Sequence, residues 1–282
     1  MTGTLHIVAT PIGNLEDISL RALRILKESD VIAAEDTRVT RKLLSHFDIH
    51  TPLVAYHQHS RGRRAEEILE KLQDGKDVAL VSDAGTPGIS DPGHELIAMC
   101  IAEGVQVVSV PGPTAIITAL VVSGLPTAHF AFDGFPPRKA SEREAFFNSI
   151  MNDTRTICLY ESPMRLKKTL ESMQKELGDR KVAVVREATK VFEEVFRGTV
   201  DEAVEHFAGT RVRGEIVIVL EGASPDRTDE EPDEADVDTR LRQLMDAGLS
   251  QRDAVRQCVV EFKLPRRRVY AAALRLKEPP EA

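Results

Sequence analysis

The stretch "VALVSDAGTPGISDPGHEL" (residues 78–96) starts as an apolar strand and ends as the opening of a helix. Between the two, Asp83–Gly93 holds three glycines, two prolines and two aspartates. A plain strand-to-helix connection needs only a handful of residues and one turn former. The excess points to a loop shaped for something to approach its backbone. In an open α/β sheet the ligand sits beyond the C-terminal ends of the strands, and Asp83 stands at such an end. Gly85 and Gly88 offer bare backbone and positive φ, while Pro87 fixes the path between them. Asp91 reads as the N-cap of the next helix and Pro92 as its first residue.

Working outward, short β-branched runs alternate with amphipathic segments. "LHIVAT" (5–10), "VIAAED" (31–36), "LVAY" (53–56), "VALVSD" (78–83) and "VQVVSV" (105–110) form a first set. Continuous apolar strands separated by helices predict a parallel sheet covered on both faces. In the helix "RAEEILEKLQDG" (64–75), Ile68, Leu69 and Leu72 share a face and Gly75 is the stop. After "VPGPT" (110–114) comes a second set: "FAFDGF" (130–135), "TICLYES" (156–162), "KVAVVRE" (181–187), "EEVFRGT" (193–199) and "EIVIVLEG" (215–222). "FEEVFRGTV" alternates, so the second sheet is expected to be mixed. The expected organisation is an α/β domain over 1–112, a second over 113–223, an acidic linker over 224–238 and a helix–turn–helix unit over 239–282. In that last unit Ser250 caps a helix carrying Ala254, Val255, Cys258, Val259 and Phe262 at helical spacing.

The 282 residues carry a net charge of −8, but "DEEPDEADVD" (229–238) alone contributes seven acids and no base, which leaves −1 elsewhere. Against that near-neutral remainder stand four basic clusters: "TRVTRK" (37–42), "RGRR" (61–64), "PRK" (137–139) and "PRRR" (265–268). They make an anionic partner plausible, with Arg38, Arg41, Arg63, Arg64, Arg266, Arg267 and Arg268 as candidate contacts. Cys100, Cys158 and Cys258 are isolated and odd in number, which suggests neither a disulfide framework nor a zinc site. No apolar run is long enough to span a bilayer, and the N-terminus lacks a secretory pattern. A cytoplasmic protein is expected.

Neither a GxGxxG fingerprint nor a Walker A loop is present. Instead "TPIGN" (10–14) after the first strand and "PGPTA" (111–115) after the fifth repeat the small-residue character of the loop after the fourth. Three such loops suit a ligand held through backbone groups, such as adenosine joined to a zwitterionic amino acid.

"VATPIGNLEDISLRAL", "AEDTR", "VSDAGTPGISDPG", "VPGPTA", "LYESPMRL", "REATK" and "RGEIVIVLEG" occur in order between residues 4 and 222. Together they resemble the tetrapyrrole methylase superfamily, and within it the branch that 2′-O-methylates a decoding-centre cytidine of 16S rRNA. The resemblance implies two α/β domains enclosing S-adenosylmethionine (SAM), in a homodimer acting on 16S rRNA or the assembled small ribosomal subunit. Carried over by motif, Pro11, Asp83, Ala84, Gly85, Ile89, Thr114 and Ala115 would line the cofactor site from the first domain. Tyr160, Ala188 and Glu215 would do so from the second. The chain departs from the pattern at His59-Ser60-Arg61, where many relatives have His-Asn-Glu.

Methyl transfer from a sulfonium is an in-line displacement that needs no metal. It requires a ribose oxygen held about 3–3.5 Å from the methyl group and helped to lose its proton. Candidates for that help are Glu35, Asp36, His57, His59 and Lys190. Asp36 is expected to act as base or orienter, with Arg38 and Lys190 holding phosphate. Two alternatives stand beside this reading. One is a methylase of the same fold acting on a tetrapyrrole or a diphthamide precursor. The other is a ligand-sensing regulator whose "LPRRRVYAAAL" helix enters a DNA major groove.

Overall fold

The structure is a computed structural model. It describes residues 2–57, 61–209, 211–224, 234–262 and 266–276. The chain forms two compact units, Met1–Gly222 and Ala223–Ala282.

In the first unit, β1 (Thr4–Val8), β2 (Val31–Ala34), β3 (Leu53–Ala55), β4 (Val78–Val81) and β5 (Gln106–Val110) make one all-parallel sheet in the order β3-β2-β4-β1-β5. Every residue of β2 and β4 is buried, as strands covered on both faces must be. The period of two divides them cleanly. Leu5, Ile7, Val31, Ala33, Val78 and Leu80 pack against α3 (Arg61–Gln73) and α4 (His94–Ala102). Val8, Ile32, Ala34, Ala79 and Val81 pack on the other face against α1 (Leu20–Glu28) and α2 (Thr37–His46).

The second sheet joins β6 (Phe130–Phe132), β7 (Thr156–Glu161), β8 (Lys181–Arg186), β9 (Glu194–Thr199) and β10 (Ile216–Leu220) in the order β6-β7-β10-β8-β9. Only β6–β7 is parallel, so the sheet is mixed, as its alternating strand predicts. One face packs on α6 (Ala140–Ser149), α7 (Leu166–Leu177) and α8 (Val200–Ala208). The other face, with Cys158, Ala183, Val185, Val217 and Val219, is covered by α5 (Ala115–Ser123). Since α5 follows β5 directly, the chain passes from one sheet to the other between Val110 and Ala115.

Two expectations need correcting. Asp91 does not cap a helix: α4 starts at His94, and its N-cap position is Gly93, which makes no side-chain cap. Gly93 has φ +151°, and a Cβ there would lie 3.1 Å from the Gly88 nitrogen and 3.2 Å from Leu80. The loop folds back on itself before the helix can begin, and Asp91 is released for another role. The acidic segment also ends sooner than expected, because residues 234–238 belong to α9 (Glu234–Asp246). Most of the rest of that segment, residues 225–233, lies outside the described residues.

In the second unit α9, α10 (Gln251–Phe262) and α11 (Arg266–Arg275) share a separate core. It is built from Val237, Leu241, Leu244, Ala254, Val255, Cys258, Val269, Ala272 and Ala273. The Ser250 hydroxyl accepts the Asp253 N–H at 3.2 Å, capping α10 as expected. Each of the three cysteines is buried, Cys100 in the first-sheet core, Cys158 in the second and Cys258 here.

Leu241 is fully buried in the small core, and truncating such a side chain costs about 2–5 kcal/mol. Leu241→Ala is therefore expected to remove amide-exchange protection from residues 234–276 while the strands of Met1–Gly222 keep theirs. A uniform loss of protection along the whole chain would show that the two units do not unfold separately.

Candidate active site

The loops at the C-terminal ends of β1, β4 and β5 meet the ends of the interior strands β7, β10 and β8 of the second sheet around a cleft of about 430 Å³. The Thr10 and Gly85 main chains exchange hydrogen bonds of 2.9 and 3.0 Å, and the Thr10 hydroxyl donates to the Ser82 carbonyl at 3.2 Å. These bonds lock the loop after β1 to the loop after β4. At Gly13 the first loop presses on the turn after β8. A Cβ at that position would lie 2.4 Å from Lys190 Cγ and 2.8 Å from Thr189 Oγ1. Only glycine permits so close an approach.

Of the residues expected to hold a cofactor, Asp83, Ala84, Gly85, Ile89, Thr114, Ala115, Tyr160, Ala188 and Glu215 line this cleft. Pro11 is not in its wall, and the neighbouring Ile12 takes that place. Sequence reasoning passed over Asp91, Phe135, Glu161 and Gly214, which line it too. Glu161 was within reach, since it follows Tyr160 in the quoted "LYESPMRL" and stands four residues before Arg165 and eight before Thr169. Its carboxylate is fully buried, accepting the Ser162 N–H at 2.7 Å and the Thr169 hydroxyl, with Arg165 Nε 3.4 Å away. It is a polar post that fixes the 161–163 wall.

Besides the buried Glu161, four carboxylates give the cleft its electrostatic character: Glu35, Asp83, Asp91 and Glu215. Desolvation, aided by Asp83, raises the pKa of Glu35. Desolvation likewise raises Asp83, although its Oδ1 accepts the Asp36 N–H at 3.0 Å. Asp91 shifts furthest, to about 6, through burial and then the nearby Glu35, against the favourable bond from the Ser82 hydroxyl. Burial pushes the Tyr160 phenol up to about 12, with Asp91 adding to the effect. A site that makes several carboxylates reluctant to ionise is matched to a cationic ligand.

The catalytic candidates are placed differently from one another. Asp36 N-caps α2, accepting Arg38 N–H at 2.8 Å, and its second oxygen takes Arg38 Nη2 at 2.6 Å. These bonds hold its pKa down at about 2 and tie its carboxylate to the first turn of α2. Lys190 Nζ bonds Glu187 Oε1 at 2.8 Å and Glu215 Oε2 at 3.1 Å. Desolvation opposes its charge, and the two carboxylates outweigh that, so its pKa is raised. It clamps the turn and is not a free phosphate ligand. His57 is exposed, and His59 lies outside the described residues, as does Ser60.

Arg38 and Arg41 are exposed on α2, and Arg63 and Arg64 on α3 both pair with Glu67. The side chains of Arg61, Arg266 and Arg267 lie outside the described set, while Arg268 on α11 is partly buried. Among the described residues no group of three or more His, Cys, Asp or Glu could hold a metal ion.

Two parallel-to-mixed α/β halves around a loop-lined cleft define a class, and the chain belongs to it. Residues 4–204 match the Tetrapyrrole (Corrin/Porphyrin) Methylases, and the chain is a member of that family, in the branch of the ribosomal RNA small subunit methyltransferase I proteins. It is 48% identical to the ribosomal RNA small subunit methyltransferase I of Synechocystis sp. over 98% of this chain and 99% of that one. With the Bacillus subtilis protein of the same name it shares 42% over 96% and 94%. Among solved structures, diphthine synthase superposes with a TM-score of 0.59 at 16% identity, covering 78% of this chain and 90% of that one. A cobalt precorrin-4 methyltransferase gives 0.57 at 22%, covering 77% and 94%. These two share the fold.

The raised Asp91 pKa has a consequence for stability. Its folded value of about 6 lies above its ordinary 3.8, so its contribution is present below about pH 4 and lost as pH rises through 6. Asp91→Asn is expected to melt a few degrees higher than the parent at pH 7 and to match it near pH 4. Equal melting temperatures across that range in differential scanning calorimetry would show that Asp91 ionises freely.

Proposed function

We propose that this chain is a SAM-dependent methyltransferase that modifies the ribose 2′-oxygen of a decoding-centre cytidine in 16S rRNA. One observation carries the reading: similarity to ribosomal RNA small subunit methyltransferase I proteins runs over 98% of the chain, well past residue 204 where the family model ends. That extent takes in the helical tail. A methylase of small tetrapyrroles has no evident use for such a unit or for the basic clusters.

The cleft suits the cofactor. Glu35, Asp83, Asp91 and Glu215 match a ligand bearing a sulfonium and an ammonium group. Ile12, Ile89, Val185 and Val217 offer apolar wall for an adenine, and Gly85 offers open backbone. When bound, SAM supplies an electrophilic methyl group. The rest falls to the chain: to hold the ribose oxygen in line and to take up its proton among the cleft carboxylates. Asp36 orients Arg38 at the mouth, where the exposed guanidinium is available to a phosphate. Lys190 ties Glu187 to Glu215 and so fixes the far wall.

In this reading the halves 1–112 and 113–223 share the cofactor, and Arg266, Arg267 and Arg268 at the start of α11 dock RNA phosphate, where helix N–H groups also favour anions. The enzyme is taken to be a cytoplasmic homodimer. No helix among the described residues is long and apolar enough to cross a membrane.

The test is mapping of 2′-O-methylation in 16S rRNA from cells lacking the protein, with restoration by the wild-type chain. One decoding-centre cytidine should lose its methyl group and regain it. In calorimetry Asp83→Ala should bind SAM at least tenfold more weakly, because the variant removes both a counter-charge and the acceptor for Asp36 N–H. Unchanged rRNA methylation would refute the function, and unchanged SAM affinity in a folded Asp83→Ala would refute the site.

A further inference from the structure

A second cavity of about 360 Å³ opens on the other side of the turn that Lys190 clamps. Its lining includes Arg186, Phe192, Phe207, Arg211, Val212 and Arg213. Ala188 and Gly214, next in sequence to the lining residues Glu187 and Arg213, belong to the cleft wall. The two cavities are therefore neighbours across one turn.

Two features of this cavity have no part in the function described so far. The first is apolar exposure on a rigid turn. Val191 is 93% exposed and Phe192 75%. Yet Glu187 and Thr189 are fixed at positive φ (+52° and +68°), and the Thr189 N–H is bonded to the Glu193 carboxylate. Lys190 N–H donates to the Glu187 carbonyl, and Glu193 N–H to that of Lys190, both at 3.0 Å. A constrained turn thus holds an aromatic ring out in water, at a hydrophobic cost that no burial among the described residues recovers.

The second feature is uncompensated charge. The two carboxylates of the cavity are already engaged, Glu187 by Lys190 and Glu194 by Arg186 at 2.9 Å. Arg211 and Arg213 are exposed, and no ion pair to either occurs among the described residues. The core of a protein–protein interface is depleted in charge, which this cavity is not. An exposed ring beside free guanidinium groups is instead the combination that binds an unpaired nucleotide, by stacking its base and neutralising its phosphates.

We infer that this cavity takes one unstacked nucleotide of the RNA strand adjoining the nucleotide in the cleft, its base on Phe192 and its phosphates on Arg211 and Arg213. The inference rests on the rRNA reading above. It adds a site outside the cofactor cleft and separate from the basic clusters.

The chain contains no tryptophan, so Phe192→Trp creates a single fluorescent reporter at the position in question. Titrated with a single-stranded oligonucleotide spanning the decoding-centre target, its emission should be quenched to saturation. Phe192→Ala should raise KM for small-subunit substrate about tenfold with kcat and SAM affinity unchanged, and Phe192→Tyr should restore it. Replacing Arg211 and Arg213 by alanine should flatten the slope of log affinity against log salt by about 1.4, two single-strand phosphate contacts. An active Phe192→Ala enzyme with parental KM and salt slope, and an unquenched reporter, would overturn the site while leaving the function intact. Loss of self-association in Phe192→Ala with unchanged RNA affinity would also overturn it, assigning the patch to a second copy of the chain. If the wild type methylates no rRNA, the functional reading falls, and the reporter titration with RNA still decides the cavity.

Discussion

Thr10 and Gly85 hold each other through a pair of main-chain hydrogen bonds beyond the ends of two adjacent parallel strands. Parallel ladders usually end where their loops diverge, and this antiparallel bridge forces the loops to stay together. Asp83, Ala84 and Thr86 are thereby presented on one side and Ile12 and Gly13 on the other. Gly13 in turn meets Thr189 and Lys190, so the bridge also positions the second half of the molecule against the first. Because the contact is made by backbone, it depends on side-chain identity only where a side chain would obstruct it.

The charge pattern around this scaffold divides by sign. Carboxylates gather in the cleft, with Glu35, Asp83 and Asp91 all held above their ordinary pKa by desolvation first. Guanidinium groups lie outside it: Arg38, paired with Asp36, and Arg211 and Arg213, which have no ion pair among the described residues. Such a division separates two ligands of opposite charge, a cation within and a polyanion without. Lys190 sits at the boundary, and its pairing with Glu187 and Glu215 keeps cationic charge from spilling into the cleft.

The sheets, their order of strands in sequence and the loop-lined cleft were legible because each rests on local chemistry. Val78–Val81 is apolar at every position, "FEEVFRGTV" alternates, and Gly85 and Pro87 restrict a short stretch of backbone. Asp91 was misread because Asp-Pro before a helical run is a good local signal for a cap. What cancels it is the contact of Gly93 with Gly88 and Leu80, a tertiary fact. The pairing of Asp36 was hidden for a related reason. Its neighbour two residues on, Arg38, was assigned to phosphate, and no sequence pattern says that the pair bind each other first. Phe192 left no trace at all, since exposure of one aromatic in an alternating segment is decided by the turn that carries it.

The placing of the three cysteines has a use unconnected with catalysis. Burial raises the thiols of Cys100 and Cys158 to about 11, so in the folded chain they are poor nucleophiles as well as inaccessible ones. Cys100, Cys158 and Cys258 fall one to each of three cores. Each thiol becomes reactive only when its own core opens. The rates at which the three accept an alkylating label are thus three separate clocks, built into the native chain, for the opening of the first sheet, the second sheet and the helical tail.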